Sequence, residues 1–535
     1  MSVQFTEEQL NSFDKATLIT LFLKQQEQLK FIDDKLQLVL EQMSDMNRHR
    51  FGRSTEKSVP DNQLAFNFEE GEPCIFNEAE AIACEEEADS EEAAVTIKRK
   101  KTKGRREADI SGLPVTVIPH EMSEEELLAF YGDENWKRLP DEVYKRYHYV
   151  PSKVTIEEHR IAVYSGTKSE RMVKANHPKR LLNNSLASAS TVAGIMNAKY
   201  INGLPLNRIE AEFNRREINI SRQTMANWVI QCADRYLAVL YDYLHKTMYN
   251  HHVIQADETP CLVNKDGREA GSKSYMWVYR TGHLSANHPI VLYEYQKTRN
   301  ASHPREFLKN FRGVCVTDGY QVYHTLENER EDLTIAGCWA HARRRFDEAL
   351  KATKKSGQKT CTANKALTMI QAIYREEGKL KDLPPDERYE KRQLTVKPLV
   401  EAYFAWVHKT EPHVLRDSKT HKGLQYSINQ EKYLKTFLSD GEVPIDNNAA
   451  ERTIRGFCIG KKNWVMIDTV AGAKSSAIVY SIAETAKANN LKPYEYFNYL
   501  LTEIPEHMDD TDVTFIEDLL PWSDKLPSEC RKATK

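Results

Sequence analysis

Val253-Ile254-Gln255-Ala256-Asp257 and, 61 positions further on, Gly313-Val314-Cys315-Val316-Thr317-Asp318 each run through apolar residues into an aspartate. Short continuous apolar runs of this kind read as strands buried on both faces, the pattern of parallel central strands. Each aspartate then reads as a carboxylate delivered at the tip of a buried strand. Aspartate is common at strand ends for turn reasons alone, because its side chain bonds nearby backbone amides, so two such residues do not make a site. A third acid changes the reading. Glu451 falls in Asn447-Asn448-Ala449-Ala450-Glu451-Arg452, read as a short helix with Asp446 as its N-cap. Asn447, Glu451 and Arg455 are four apart, hence on one helical face. The bland alternative is a surface ion pair between Glu451 and Arg455, which contributes little energy.

Working outward, strands are expected over 252–256, 274–280, 290–295, 314–317 and 334–338, with a helix near 304–311 and another opening at Trp339. Three strands, a helix, a strand, a helical turn and a further strand is the order of a ribonuclease H-like α/β core. In that fold converging acids hold two divalent cations roughly 4 Å apart for in-line attack on phosphorus. Oxygen-only ligation points to Mg²⁺ or Mn²⁺, with Asp257 bridging both ions and Asp318 and Glu451 each holding one. One ion would activate a water or a 3′-hydroxyl, and the other would stabilise the leaving oxygen. The 133 positions between Asp318 and Glu451 leave room for an insertion, and 349–443 reads as all helical. The core would then occupy 249–348 and 444–505, with a tail over 506–535.

Two basic segments flank this site. In Cys338-Trp339-Ala340-His341-Ala342-Arg343-Arg344-Arg345, His341, Arg343 and Arg344 read as cleft-facing groups for DNA phosphates, as do Arg452, Arg455, Lys461 and Lys462. A solvated basic helix face is the alternative. Cys338 with His341 gives two zinc ligand types without a matching pair, a weak zinc motif. Trp464 reads as core. Upstream, 183–248 is helical and breaks at 217–220, and Ser221 is placed to cap a second helix. Met225, Trp228 and Val229 would face inward and Arg222, Gln223 and Asn227 outward, a helix-turn-helix that offers its second helix to a major groove.

At 535 residues the chain exceeds one core and reads as multi-domain α+β. Leu18, Phe22, Gln25, Leu29, Ile32, Leu36, Val39, Met43 and Met46 step alternately by four and three, so 1–51 reads as a coiled-coil helix for self-association. Residues 69–92 hold eleven acids and no Lys or Arg; the net charge of −3 therefore conceals +8 elsewhere. With the basic run 98–106 that follows, 52–106 reads as an acidic then basic linker, and the alternation within 107–182 as a small β module. No apolar stretch approaches the length of a bilayer span, no signal segment opens the chain, and nine scattered cysteines fit a reducing compartment. A cytoplasmic protein is expected.

The segments Ala256-Asp257-Glu258-Thr259-Pro260, Thr317-Asp318-Gly319-Tyr320, Cys338 to Arg344 with Phe346, Asp446 to Arg452 and Lys462-Asn463-Trp464 together resemble the transposase of the insertion-sequence family sixty-six. The resemblance extends through Gly203-Leu204-Pro205-Leu206, Asn227-Trp228-Val229 and Phe51-Gly52-Arg53-Ser54. It implies a DDE-type DNA transposase whose triad lands on Asp257, Asp318 and Glu451. Such an enzyme would act on the ends of its own element and on target DNA, with accessory proteins of the element as further partners. The family's cysteine-rich zinc module has no counterpart here, since no cysteine occurs between Cys84 and Cys232, which argues against a structural zinc. Gly456 and Lys461 stand where the resemblance implies proline and arginine. A catalytically silent DNA-binding protein and a structure-specific nuclease on the same fold are the competing readings.

Overall fold

The computed structural model describes residues 179–532 almost without break, with 154–165, 172–177 and a few positions between 14 and 26. Most of the expected coiled-coil seam, the acidic and basic linker and the alternation at 142–149 lie outside the described residues. The chain divides into two units, Ser54–His177 with the last three residues, and the remainder. Within the first unit, β1 (Val163–Ser165) and β2 (Met172–Lys174) form an antiparallel ribbon. In the second, the described residues between 15 and 26 are helical, with Leu18 and Phe22 exposed.

Helix α1 (Ala189–Met196) starts at Ser188, whose hydroxyl accepts from the Thr191 amide. Helix α2 (Leu206–Arg215) follows the Gly203 turn, and α3 (Arg222–Cys232) is capped by Ser221, which accepts from the Thr224 amide. Glu210 of α2 accepts from the Arg222 amide at 3.0 Å, satisfying another free donor of the first turn of α3. A π segment (Ala233–Leu237) continues α3 into α4 (Ala238–Met248). Met225, Trp228 and Val229 are buried while Arg222, Gln223 and Asn227 are exposed, as the periodicity requires.

The main sheet contains β3 (Val253–Lys265), β4 (Lys273–Thr281), β5 (Val291–Gln296), β6 (Gly313–Val316) and β7 (Leu333–Ala336), with α5 (Ser302–Phe307) and α6 (Gln321–Glu329) between strands. The spatial order is β5-β4-β3-β6-β7; β4 runs antiparallel to both neighbours, and β3, β6 and β7 are parallel. Alternate residues of β3 and β6 face two separate cores. Ile254, Ala256 and Cys315 join one, and Val253, Val314 and Val316 the other. This is why both strands are apolar without alternation. Gly313, at φ 137°, lets β6 enter beside β3, since a Cβ there would lie 2.2 Å from the His252 carbonyl oxygen.

The second core is completed by helices that follow β7: α7 (Trp339–Ala352), α8 (Thr362–Gly378), α9 (Pro385–Lys391), α10 (Lys397–Thr410), α11 (Lys419–Asn429) and α12 (Glu431–Lys435). Within it the fully buried Arg392 pairs with Glu377 and donates to the carbonyls of Phe437 and Asp440. Next come α13 (Asn448–Trp464), β8 (Ile467–Thr469), α14 (Val470–Ala488), α15 (Pro493–Glu506) and α16 (Ile516–Leu519).

Both sheet edges are closed by side chains rather than by further strands. On β5 the amides of Val291 and Tyr293 donate to Thr485 and Ser481 hydroxyls of α14, at 3.0 and 2.7 Å. On β7 the Ile335 amide donates to Glu327 at 2.9 Å and its carbonyl accepts from Thr436 at 3.0 Å. Edge groups satisfied in this way do not template pairing with another chain.

Strand β3 does not end at Asp257. It continues for eight residues, the first five paired with β4, and the parallel pairing with β6 stops at Gln255↔Val316. At that fork the Ala256 carbonyl faces the side that β6 has left, and Asn447 fills the gap. Its amide donates to Ala256 O at 2.7 Å, and its Oδ1 accepts from Gln255 Nε2 at 3.3 Å. Gln255 and Asn447 are both fully buried. Asn447→Ala strands a buried carbonyl, so we expect a loss of about 1–3 kcal/mol, read as a lower urea midpoint at unchanged m-value.

Candidate active site

The two aspartates emerge from the fork together. Since Gln255 is in register with Val316, Asp257 and Asp318 both lie two residues further on adjacent parallel strands, on the same face. Asp318 leaves the sheet in a tight turn: its Oδ1 accepts from the Tyr320 amide at 2.9 Å, and Gly319 takes φ 90°. Its carbonyl accepts from the Tyr426 hydroxyl of α11 at 3.0 Å, so the helical segment supports the turn. Asp257 Oδ1 accepts from the Glu258 amide at 2.9 Å.

Glu451 arrives on the first turn of α13, where the helix dipole favours an anion. Asn447 is the N-cap residue by position, but its side chain is spent on the fork. The capping acceptor is Asp446, whose Oδ1 takes the Asn448 amide at 3.1 Å. Glu451 pairs with Arg344 of α7 at 2.9 Å rather than with Arg455, and its other oxygen lies 3.6 Å from His341 Nδ1. Arg344 Nη1 in turn reaches His341 Nε2 at 3.3 Å.

The electrostatics are those of crowded carboxylates. Asp257 has its carboxyl raised well above the usual range, by burial first and then by the charges of Glu258, Asp318 and Glu451. Glu258, beside it in sequence, is pushed up to about 7 by burial, although Arg299 Nε donates to it at 2.6 Å. The Arg299 guanidinium stacks 3.7 Å above the Tyr320 ring, which ties the Asp318 turn to Glu258. Burial pushes the His341 imidazole toward its neutral form.

Glu451 Oε1 and His341 Nδ1 are buried without a hydrogen-bond partner. Among the described residues, Cys338, His341 and Glu451 have donor atoms within 4.8 Å of one another. Burial raises the Cys338 thiol, and its sulfur accepts from the Asn447 amide at 3.2 Å. That is the behaviour of a neutral core thiol rather than a zinc thiolate. Glu451 leans toward Arg344 and His341, and neither aspartate belongs to this close group of donor atoms.

Of the remaining expected residues, Arg452, Arg455 and Lys462 are exposed along α13. Lys461 is half-buried and donates to the Pro260 carbonyl at 2.8 Å, and Arg343 is half-buried on α7. Trp464 packs edge-on against Phe457 at 5.5 Å, at the margin of the core. Sequence reading missed Glu258, Arg299 and Arg280. Arg280 on β4 donates to Ala449 O and Thr453 Oγ1, both at 3.2 Å, and so fixes the start of α13. For Glu258 and Arg280 the only local signal was charge within strand sequence; Arg299, in the polar loop after β5, had none.

Residues 184–475, more than half of the chain and the whole of this site, match the Transposase IS66 family. The chain belongs to the IS66 transposase family. Residues 481–522 match the IS66 C-terminal element, and 39–118 match the region described as Transposase C of IS166 homeodomain. An uncharacterized protein of Sinorhizobium fredii, y4qI, is 29% identical over 390 residues, 71% of each chain. A second from that organism, y4jD, is 26% identical over 360 residues, 66% of this chain and 69% of its own. Membership of the IS66 family implies an enzyme acting on DNA with divalent metal. Among the described residues no helix is long and apolar enough to cross a membrane.

A carboxyl raised in the folded chain contributes stability below its unfolded value near 3.8 and loses it as pH rises through the folded value. Ionised Asp257 is therefore a net cost at neutral pH. We expect Asp257→Asn to raise Tm at pH 7.5 by roughly 2–4 °C, the shift that ~1 kcal/mol gives a large domain. Calorimetry should find the gain shrinking toward pH 4; an equal or lower Tm at pH 7.5 contradicts this account.

Proposed function

We propose that this IS66-family chain cleaves the ends of its own element and joins them to target DNA, with Asp257, Asp318 and Glu451 as a two-metal triad on a ribonuclease H-like core. The observation that carries the reading is the fork. Two aspartates leave neighbouring parallel strands in register, and a helix clamped into the gap by Asn447 brings a glutamate beside them. The strand order, third-second-first-fourth-fifth with the second antiparallel, supports the ribonuclease H-like assignment. The order of elements along the chain agrees with it.

The donor set suits hard divalent cations such as Mg²⁺ or Mn²⁺. Asp257 is short of countercharge, and Glu451 Oε1 has no donor. When bound, the ions supply a deprotonated attacking water or 3′-hydroxyl and neutralise charge on the departing oxygen. The chain's own residues do the rest. Asp257, Asp318 and Glu451 hold the ions, Asn447 and Arg280 fix the approach of α13, and Arg344, half-exposed beside Glu451, is within reach of a scissile-strand phosphate.

Arg452, Arg455 and Lys462, at spacings of three and seven, form an exposed stripe along α13 that starts beside Glu451. It supports a DNA path leading away from the site. Arg222, Gln223 and Asn227 on α3 offer a separate surface of helix-turn-helix type for the element end. The N-terminal seam is proposed to join two or more copies for synapsis.

Purified protein, labelled terminal DNA and Mg²⁺ test this directly. Asp257→Asn, Asp318→Asn and Glu451→Gln should each lower cleavage by about 10³-fold or more, roughly 4 kcal/mol of transition-state stabilisation, with end binding retained. Near wild-type cleavage by any of the three removes that residue from the triad. Cleavage without joining would instead mark a nuclease, and binding without cleavage a silent DNA-binding protein. Arg455→Ala should weaken binding uniformly across sequences and reduce the salt slope of log K by about 1; an unchanged slope takes the α13 stripe off the DNA.

A further inference from the structure

Helix α13 ends in a turn that a β-branched residue does not adopt without strain. Val465 sits at φ 63°, ψ −53°, with its amide donating to Lys461 O. The Met466 amide closes back on Trp464 O at 2.7 Å. A three-residue closure with positive φ at its centre is the rare, strained form of the γ-turn, and a branched Cβ makes it worse. Glycine would take this conformation freely. The turn is held from both sides: Met466 Sδ accepts from Asn264 Nδ2 at 3.1 Å, and Ile467 pairs in parallel register with Val263 of β3.

The effect of the strained turn is to present apolar side chains to solvent. Val465 is 57% exposed and Met466 46%, and Ile459, six residues earlier on the helix, is also 57% exposed. Lys462 stands one turn before Val465 on the same side, and Arg452 and Arg455 are exposed further back on the same helix. Strain kept at an exposed apolar residue has no packing benefit to offset it, and strained positions of this kind concentrate at functional sites.

We propose that Val465, backed by Met466, is a wedge that enters a base step of the bound DNA and unstacks it. The position is roughly 20 Å along α13 from Glu451, 14 residues at 1.5 Å each. Apolar side chains flanked by phosphate-binding cations kink duplexes in this way. The cations on the same helix favour a polyanion as occupant over a second copy of the chain or another protein. The inference rests on the DNA-processing reading above and adds a distortion site outside the catalytic acids.

The test uses the full-length protein and duplexes from the terminal DNA flanking its reading frame, with 2-aminopurine placed at successive positions. Binding by the wild type brightens the probe severalfold at one or two adjacent steps. Val465→Gly relieves the turn and removes the side chain, so it folds with an undiminished Tm, binds within a few fold and loses the brightening; Val465→Leu keeps it. A Val465→Gly variant that brightens the probe like the wild type overturns the wedge. So does a tight wild-type complex with no bright position, or a Val465→Gly variant whose defect is loss of protein self-association in light scattering with emission intact. Absence of any complex in a gel shift overturns the DNA reading itself, and the wedge with it.

Discussion

The fork between β3 and β6 is the constraint on which the rest of the site depends. Two parallel strands that diverge must leave backbone groups without ladder partners, and a buried carbonyl left alone is costly. The Asn447 side chain takes the place of the missing strand at Ala256, and its backbone amide donates to the Cys338 sulfur just before α7, so β3 and the starts of α7 and α13 meet at one residue. The divergence also opens space for the two aspartates, which would otherwise meet a continued ladder. Stability and site geometry are thus settled by the same hydrogen bonds.

The carboxylates make the opposite contribution. Glu258, Asp318 and Glu451 raise the cost of ionising the buried Asp257, and Asp318 adds to that of Glu258, which Arg299 offsets. Arg280 does not help in this way. It is buried, lowered to about 10 by desolvation and then by Arg452, and spends its donors on α13. A fold that concentrates uncompensated negative charge at a rigid fork carries a standing penalty that divalent cations relieve. The same penalty is what a ligand-binding site stores for use.

Much of this architecture was legible in the sequence because it is written in local periods. The apolar runs before Asp257 and Asp318, the Ser221 cap and the inward positions Met225, Trp228 and Val229 all follow from spacing along a strand or helix. The extension of β3 through Pro260 was not, because proline reads as a strand end. Alternation along β3 directs the Pro260 backbone to the side β6 has vacated, where its missing N–H costs no ladder bond and its carbonyl accepts from Lys461. Asp446 supplies the cap acceptor as expected, although Asn447 holds the N-cap position, because the fork claims the asparagine side chain. The partner of Glu451 was also hidden, since Arg344 lies 107 residues away and Arg455 only four.

Helix α13 joins these points. Its first turn carries Glu451, its first two turns are pinned by Arg280 and by the Tyr293 hydroxyl donating to Thr453 O at 2.7 Å, and its far end carries Lys462 and the strained Val465. Gly460 lets the helix lie against Tyr480 of α14, which itself closes the β5 edge. The grip on the start of α13 sets where Glu451 stands, and the Glu451 to Arg344 ion pair is the weakest of these contacts because Arg344 is half-exposed. On the two-metal proposal, a phosphate that draws Arg344 away would free the glutamate to turn toward Asp257.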